Sequence, residues 1–248
     1  MDMNFTTMRP AIDIRRAPER FHTKIDWLDS YHSFSFAQHY DPSNTHHGLL
    51  LVSNDDVIKA GTGFRANPHQ DMEIITLVLD GEVEHKDSEG NRGIIYPGLA
   101  QRMSAGTGIW HSEMNPLNDK NLHLIQMWVL PDTERIAPGY EQLDINSQLD
   151  KGGLVPIASG RGHAAAISIR QKGAVLWGGR LTPGETVALP DAPFVHLYVA
   201  RGRADLEAAG SLETGDAVRL IAADPRKLVA DPSKGSEVLI WEMNDATE

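Results

Sequence analysis

The chain contains no cysteine. Disulfides, thiolate metal sites and cysteine nucleophiles are thereby excluded. Long apolar runs are missing too: no stretch approaches the length a helix needs to cross a bilayer. The opening MDMNFTTMRP has no apolar core of the kind a secretory signal carries. Basic residues are in deficit, 23 against 34 acidic ones, which leaves a formal charge of −11. That balance repels nucleic-acid phosphates and anionic lipid, and argues against general nucleic-acid binding and against a membrane partner. The resulting expectation is a soluble, cytoplasmic protein.

What the chain does have is apolar content and turn formers. At 248 residues and 41% apolar content, it is long enough for one large β domain or two ordinary ones. Its 22 glycines and 14 prolines favour many turns over long helices. Short apolar runs separated by turn signals recur along its length. HHGLLLVSND reads as a strand entering a turn, and MEIITLVLDGEVEHKDSEGNRG as two strands about an Asp80-Gly81 corner followed by a polar turn at 88–91. LHLIQMWVLP is a strand that Pro131 stops. The polar, turn-rich stretch 138–153 reads as a connection between halves. After it the strand rhythm resumes in GAVLWGGRL, FVHLYVARG, AVRLIAAD and SEVLIWEMN. LVLDGEVEH in the first half and LYVARGRADL in the second share the order strand, glycine corner, strand, which suggests a duplicated β unit. Short helices are expected at DPRKLVAD and around Ile136 to Leu143.

Two stretches carry chemistry: FRANPHQDMEI and, further on, GTGIWHSEMN. Residues two apart in a strand share a face. Asn67 and His69 therefore belong to one face, and His111 and Glu113 to another. If those faces meet, two imidazoles, a carboxylate and an amide converge. Such a set suits iron, manganese, zinc, cobalt or nickel and leaves positions open for substrate and dioxygen. Eleven histidines make a nearby pair easy to produce by chance, so ordinary surface or core histidines are the competing reading. Asn67 offers only a neutral carbonyl oxygen. It is a weak fourth ligand, a holder of a metal-bound water, or the mark of a site that has lost its metal. Ala105, Gly106 and Gly108 precede His111 and form either a turn that aims it inward or an ordinary tight turn. Glu73 and Asp71 share parity with His69, as hydrogen-bond partners of a ligand or as edge acids. His85 and His123 line the interior or face solvent. Phe34 and Phe36 read as core packing, Trp110 as a border of the pocket mouth, and the methionines as fillers of apolar space.

These motifs resemble those of the pirin family, a branch of the cupin superfamily. WLDSYHSFSFAQHYDP resembles the family's N-terminal signature, GTGFRANPHQDMEI its first cupin motif, LDGEVEHKDSEGN the hairpin that follows, and PGLAQRMSAGTGIWHSEMN its second cupin motif. YEQL and the C-terminal EVLIWEMN fit as well, so the resemblance covers nearly the whole chain. It implies an all-β fold of two cupin (double-stranded β-helix) barrels. The N-terminal barrel, 1–137, carries a metal, 138–153 is a linker, and the C-terminal barrel, 154–248, carries no metal. The implied ligands are Asn67, His69, His111 and Glu113, with asparagine standing where the family pattern has the first histidine of His-Pro-His. The implied cofactor is one divalent ion, Fe(II) first, with Mn, Co, Ni, Zn or Cu as alternatives. The implied activity is metal-dependent opening of quercetin-like flavonols with O2 and release of carbon monoxide, with Glu113 as catalytic proton acceptor and a small aromatic or enolic molecule as substrate. The alternative is a non-enzymatic binding or regulatory protein with a protein partner and a weakened or lost metal site. A different metal-dependent reaction on the same barrel is a third option.

Overall fold

The computed structural model describes residues 9–165 and 167–247. Most of the opening stretch, 1–8, lies outside the described residues, and with it most of the segment read as lacking a secretory signal. Among the described residues, twenty-one strands follow one another. In the first half they are β1 (Ala11–Arg15), β2 (Phe21–Lys24), β3 (Leu28–His32), β4 (Leu50–Ile58), β5 (Gly63–His69), β6 (Glu73–Asp80), β7 (Val83–Asp87), β8 (Arg92–Ile95), β9 (Leu99–Ser104), β10 (Ile109–Met114), β11 (Leu122–Val129) and β12 (Gly139–Asp144). After the one-turn helix α1 (Asn146–Leu149) come β13 (Val155–Ser159), β14 (Ile167–Ser168), β15 (Ala174–Leu181), β16 (Thr186–Ala188), β17 (Phe194–Leu206), β18 (Gly210–Glu213), β19 (Ala217–Ile221), β20 (Lys227–Ala230) and β21 (Ser236–Met243). No helix is long and apolar enough to cross a membrane among the described residues.

The strands form three sheets, a mostly β fold consistent with a bicupin arrangement, and none of the three closes on itself among the described residues. A seven-stranded sheet runs β12-β9-β6-β11-β4-β3-β2 and faces a four-stranded sheet ordered β5-β10-β7-β8. A ten-stranded sheet holds the second half together with β1, which pairs antiparallel with β19. The Asp80-Gly81 corner forms as expected, with Gly81 at φ +80° against the Asn121 carbonyl. Its echo in the second half is different. There β17 runs through the corresponding place as one thirteen-residue strand with a register shift between Val199 and Arg201, and Gly202 sits at φ +80°.

Both expected helices are strands instead. Within DPRKLVAD, Leu228 and Ala230 are buried while Lys227 is exposed, a period of two that pairs β20 with β16 and β17. The region after Ile136 forms β12, which adds to the edge of the seven-stranded sheet by pairing with β9. In each case an open sheet edge supplied backbone partners, and local helix propensity gave way to them.

One apolar cluster joins the halves. It takes Phe34, Leu50, Ile75, Met127 and Val129 from the first and Ile157, Leu176, Tyr198, Trp241 and Met243 from the second. Phe34 is buried there, as expected of core packing. Trp241 is fully buried, and its Nε1–H donates to the sulfur of Met127 at 3.2 Å. The Trp241→Ala substitution removes this plug from both halves and is expected to lower unfolding free energy by about 3–5 kcal/mol. Urea denaturation followed by far-UV circular dichroism measures it; a loss below about 1 kcal/mol would show that the halves do not depend on this cluster.

Candidate metal centre

The site is built on β10, the second strand of the four-stranded sheet, with β5 on one side and β7 on the other. Register decides what meets. His111 lies opposite Asn67 of β5 and opposite Asp87 of β7, and Glu113 lies opposite Phe64 and His85. Three residues of β5 span what two of β10 span between these pairs. That bulge keeps both Asn67 and Phe64 on the inward face. Alternation then buries Ile109, His111 and Glu113 while Trp110 is exposed. The turn before β10 is held by the Gly108 amide donating to Ala105 and the Asp71 amide donating to Gly106. Gly106 has φ +49°, and a Cβ there would lie 2.2 Å from the Ile136 carbonyl oxygen, so the turn that launches β10 needs glycine.

The structure brings the two motif stretches together. The His69 and His111 rings meet edge to face with centroids 4.9 Å apart, and the Asn67 amide nitrogen lies 3.3 Å from His69 Nε2. Glu113 is buried, and each of its oxygens receives a donor from the seven-stranded sheet. Thr76 Oγ1 donates to Oε1 at 3.2 Å, and Gln126 Nε2 donates to Oε2 at 2.6 Å. Trp128 Nε1–H in turn donates to Gln126 Oε1 at 3.0 Å, and the Trp128 ring packs edge-on against His69. Two sheets thus fix one carboxylate, as a buried charge demands.

Among the described residues, the group of three or more potential metal donors with ligand atoms all within 4.8 Å of one another is His85, His111 and Glu113. His69 stands beside this group. The polar atoms His85 Nδ1, His111 Nδ1 and Asn67 Oδ1 are buried and have no hydrogen-bond partner among the described residues. Unpaired buried donors and acceptors are costly. Two imidazole nitrogens left over around a carboxylate fit a divalent cation. Burial also keeps the imidazoles in the neutral form a ligand requires: it pushes His69 down to about 4, with His111 adding to the effect, and lowers His111 in the same direction.

Next to the centre lies a cavity of about 190 Å³ whose walls include Phe36, Phe64, Trp128, His32, Asn54 and Asp56. Phe36, expected in the core beside Phe34, is only half-buried and faces this cavity. His32 is anchored by Asn54 at 2.9 Å and by Thr23 at 2.9 Å. Asp56 receives the Ser30 hydroxyl, and burial raises it to about 7, with Asp55 and Glu113 contributing in the same sense. Four residues singled out in the sequence lie away from the centre's donor group. Glu73 accepts the Arg170 amide at 3.1 Å, because the chain leaves β5 at His69 and enters the other sheet at Glu73, so strand parity does not carry across. Asp71 caps that turn at φ +45° and accepts the Arg135 amide. Trp110 is 55% exposed and borders a shallow depression with Pro68 and His69 on the outer side. His123 pairs with Asp55 at 2.6 Å. Sequence reasoning left His85 open between interior and solvent, where the structure buries it, and missed Thr76 and Gln126 altogether. The signal for His85 was present in VEHKD, where apolar Val83 marks the inward parity that His85 and Asp87 share.

A β fold with a buried cluster of imidazoles and a carboxylate beside a cavity defines a metal-binding protein class. The Pirin family model matches residues 14–129. A putative quercetin 2,3-dioxygenase of Mycobacterium tuberculosis is 56% identical over 238 residues, 96% of this chain and 97% of that protein. The quercetin 2,3-dioxygenase of Escherichia coli K12 is 54% identical over 131 residues, 53% of this chain and 57% of that protein. Among solved structures, that of the bacterial pirin YhhW of Escherichia coli in complex with nickel(II) has a TM-score of 0.87 and 36% identity, covering 96% of this chain and all of that one. The chain belongs to the pirin family.

The charge states of the site carry a pH dependence. Burial lowers His47 and His69 to about 4, and lowers His32, His111 and His196 in the same direction. The unfolded chain therefore binds more protons at these groups than the native state between about pH 4 and 6.5. Burial raises Asp56 and Glu73, which works the other way, but two acids do not offset five histidines. Metal-free protein is expected to lose thermal stability as pH falls from about 6.5 towards 4. Melting curves at a series of pH values check this, and an increase on acidification contradicts the neutral imidazoles.

Proposed function

We propose that the protein is a metal-dependent dioxygenase that opens the ring of quercetin-like flavonols with O2. The observation that carries this reading is the buried convergence of His85, His111 and Glu113, with one nitrogen of each imidazole lacking a partner. The quercetin 2,3-dioxygenase names of relatives at 54% and 56% identity support it. In this reading the first unit, 1–137, is a cupin barrel that holds the ion, 154–248 is a second barrel without one, and 138–153 connects them, although β1 pairs into the second sheet and β12 into the first. His69, His111 and Glu113 hold one divalent ion, Fe(II) first among Fe, Mn, Co, Ni, Zn and Cu, with the Asn67 amide oxygen as a weak neighbour. A bound ion supplies Lewis acidity and a meeting point for an enolate and O2.

The chain's own residues do the rest. Phe36, Phe64 and Trp128 give the cavity the flat apolar walls that suit an aromatic ring, and His32, Asn54 and Asp56 give it a polar side. Glu113 Oε1 accepts the proton of the substrate hydroxyl, while Thr76 and Gln126 keep the carboxylate aimed. Asp56, which burial raises to about 7, is largely protonated below that pH and then donates a hydrogen bond to a substrate oxygen. Burial of the centre in the first half excludes bulk water from the reacting groups. A cytoplasmic location is part of the same reading.

A second reading, a binding or regulatory protein without catalysis, draws on one observation: the Asn67 amide nitrogen engages His69 Nε2 and so competes for the lone pair a metal would use. The two readings separate in one experiment. Protein loaded anaerobically with Fe(II) is mixed with quercetin in air, and the flavonol absorbance and released carbon monoxide are followed. The enzyme consumes quercetin in a metal-dependent way. His111→Ala abolishes metal retention, and Glu113→Gln lowers the rate by about a hundredfold or more. Metal-free isolation and no metal uptake by the wild-type chain favour the binding protein; uptake without quercetin loss removes the flavonol but leaves the metal centre.

A further inference from the structure

His85 has no part in the ligand set that the two motifs supply, yet it is the most deeply enclosed imidazole of the centre, with no exposed surface. It lies directly across from Glu113 in the antiparallel register of β7 and β10, the arrangement that brings cross-strand Cβ atoms to about 4.5–5.5 Å. Its Nε2 pairs with Asp87 Oδ2 at 3.2 Å. The Asp87 carboxylate is itself gripped by the Asn91 backbone and side-chain amides. Its Nδ1 is buried without a partner, and one of its ring nitrogens lies within 4.8 Å of ligand atoms of both His111 and Glu113. Most buried imidazole nitrogens are hydrogen-bonded, so an unpartnered one asks for an explanation. One nitrogen held by a carboxylate and the other free beside two donors is the arrangement of a metal ligand with its orienting partner.

The ring is also fixed in place. Tyr140 packs against it at a tilt of 32° with centroids 4.9 Å apart, and His111 tilts against it at 5.4 Å. Gly93 is the residue opposite His85 on β8, and a Cβ there would come within 2.4 Å of the Tyr140 hydroxyl, so glycine at that place makes room for the Tyr140 ring.

We propose that His85 is a metal ligand of this centre, its Nδ1 completing a set of three imidazoles and one carboxylate with His69, His111 and Glu113, on the flank of β10 away from Asn67. The proposal rests on the metal-centre reading given above and adds a ligand to it. Asn67 is then relieved of coordination. The strong donors are shared between the two neighbours of β10: His69 comes from β5 and His85 from β7. Asp87 is a positioning residue that holds the Nε2 proton and turns Nδ1 inward.

The test uses the full-length chain, with Co(II) affinity measured by chelator competition and the number of coordinated imidazoles counted by pulsed EPR on Cu(II)-loaded protein. His85→Ala is expected to weaken Co(II) binding by a hundredfold or more and to remove one imidazole from the EPR count, whereas Asp87→Asn weakens binding by ~10-fold and keeps the count. Free imidazole added to His85→Ala restores the missing nitrogen, which a merely structural histidine would not allow. Asn67→His changes the wild-type affinity little, yet recovers most of the affinity lost in His85→Ala. An unchanged imidazole count and affinity in His85→Ala, with binding abolished in His111→Ala, overturns the role of His85 and leaves the metal centre standing. Binding unchanged in both variants overturns the centre itself and the proposal with it. Should His85→Ala fail to fold, His85→Gln, which keeps bulk and polarity, gives the same count.

Discussion

The antiparallel register of one strand, β10, is the constraint on which the centre depends. It aligns His111 with Asn67 and Asp87, and Glu113 with His85, in a single row of cross-strand neighbours. A slip of one residue would turn His111 and Glu113 to the outer face and bring exposed Trp110 inside. Three features pin that register: the glycine turn packed on Ile136, the two-for-three bulge against β5, and buried Ile109 at the head of the strand. Chemistry at this site is therefore a consequence of sheet pairing rather than of loop placement, which gives it the rigidity that a ligand set needs.

Burial then sets the charges. A carboxylate with 4% exposure is unfavourable unless it is paired or hydrogen-bonded. Glu113 meets that demand with two neutral donors, Thr76 and Gln126, and among the described residues no cationic side chain bonds to it. Neutral donors hold the carboxylate in place without cancelling its charge, so it remains able to attract a cation. The same low polarity keeps the histidines unprotonated, and neutral imidazole is the form with a lone pair to give. The seven-stranded sheet takes part through Gln126, whose carbonyl oxygen is held by Trp128, so aromatic wall and ligand are linked by one side chain.

Much of this was legible in the chain. The parity argument put Asn67 with His69 on one face and His111 with Glu113 on another and left open whether those faces meet; the rings of His69 and His111 do touch. The short runs read as strands are strands, and the Asp80-Gly81 corner is where the turn signals put it. Parity failed where the chain changes sheets. Glu73 lies four residues after His69, but the turn at Asp71 stands between them, and no alternation rule survives a turn. The expected helices failed for a related reason: β12 and β20 exist because distant sheet edges offered partners, and a window of eight residues contains no trace of an edge elsewhere in the chain. Gln126 and Thr76 were invisible because they reach Glu113 across the space between two sheets, a distance in sequence that no local pattern spans.

The proposed place of His85 shows how an altered ligand position can be tolerated by a sheet. A strand with two neighbours has two flanks, and a donor weakened on one flank can be replaced from the other without moving the strand that carries the remaining ligands. Asn67 sits on the β5 flank, with its amide turned to His69; His85 sits on the β7 flank, already supported by Asp87 and Tyr140. An imidazole binds a first-row cation more strongly than a carboxamide oxygen does, so His85 would offset the weak donor at Asn67. The supports of His85 matter because a ligand that must first be ordered forfeits part of its binding energy to lost side-chain freedom. Here the Asp87 carboxylate on one ring nitrogen and the Tyr140 ring packed against the imidazole supply that ordering.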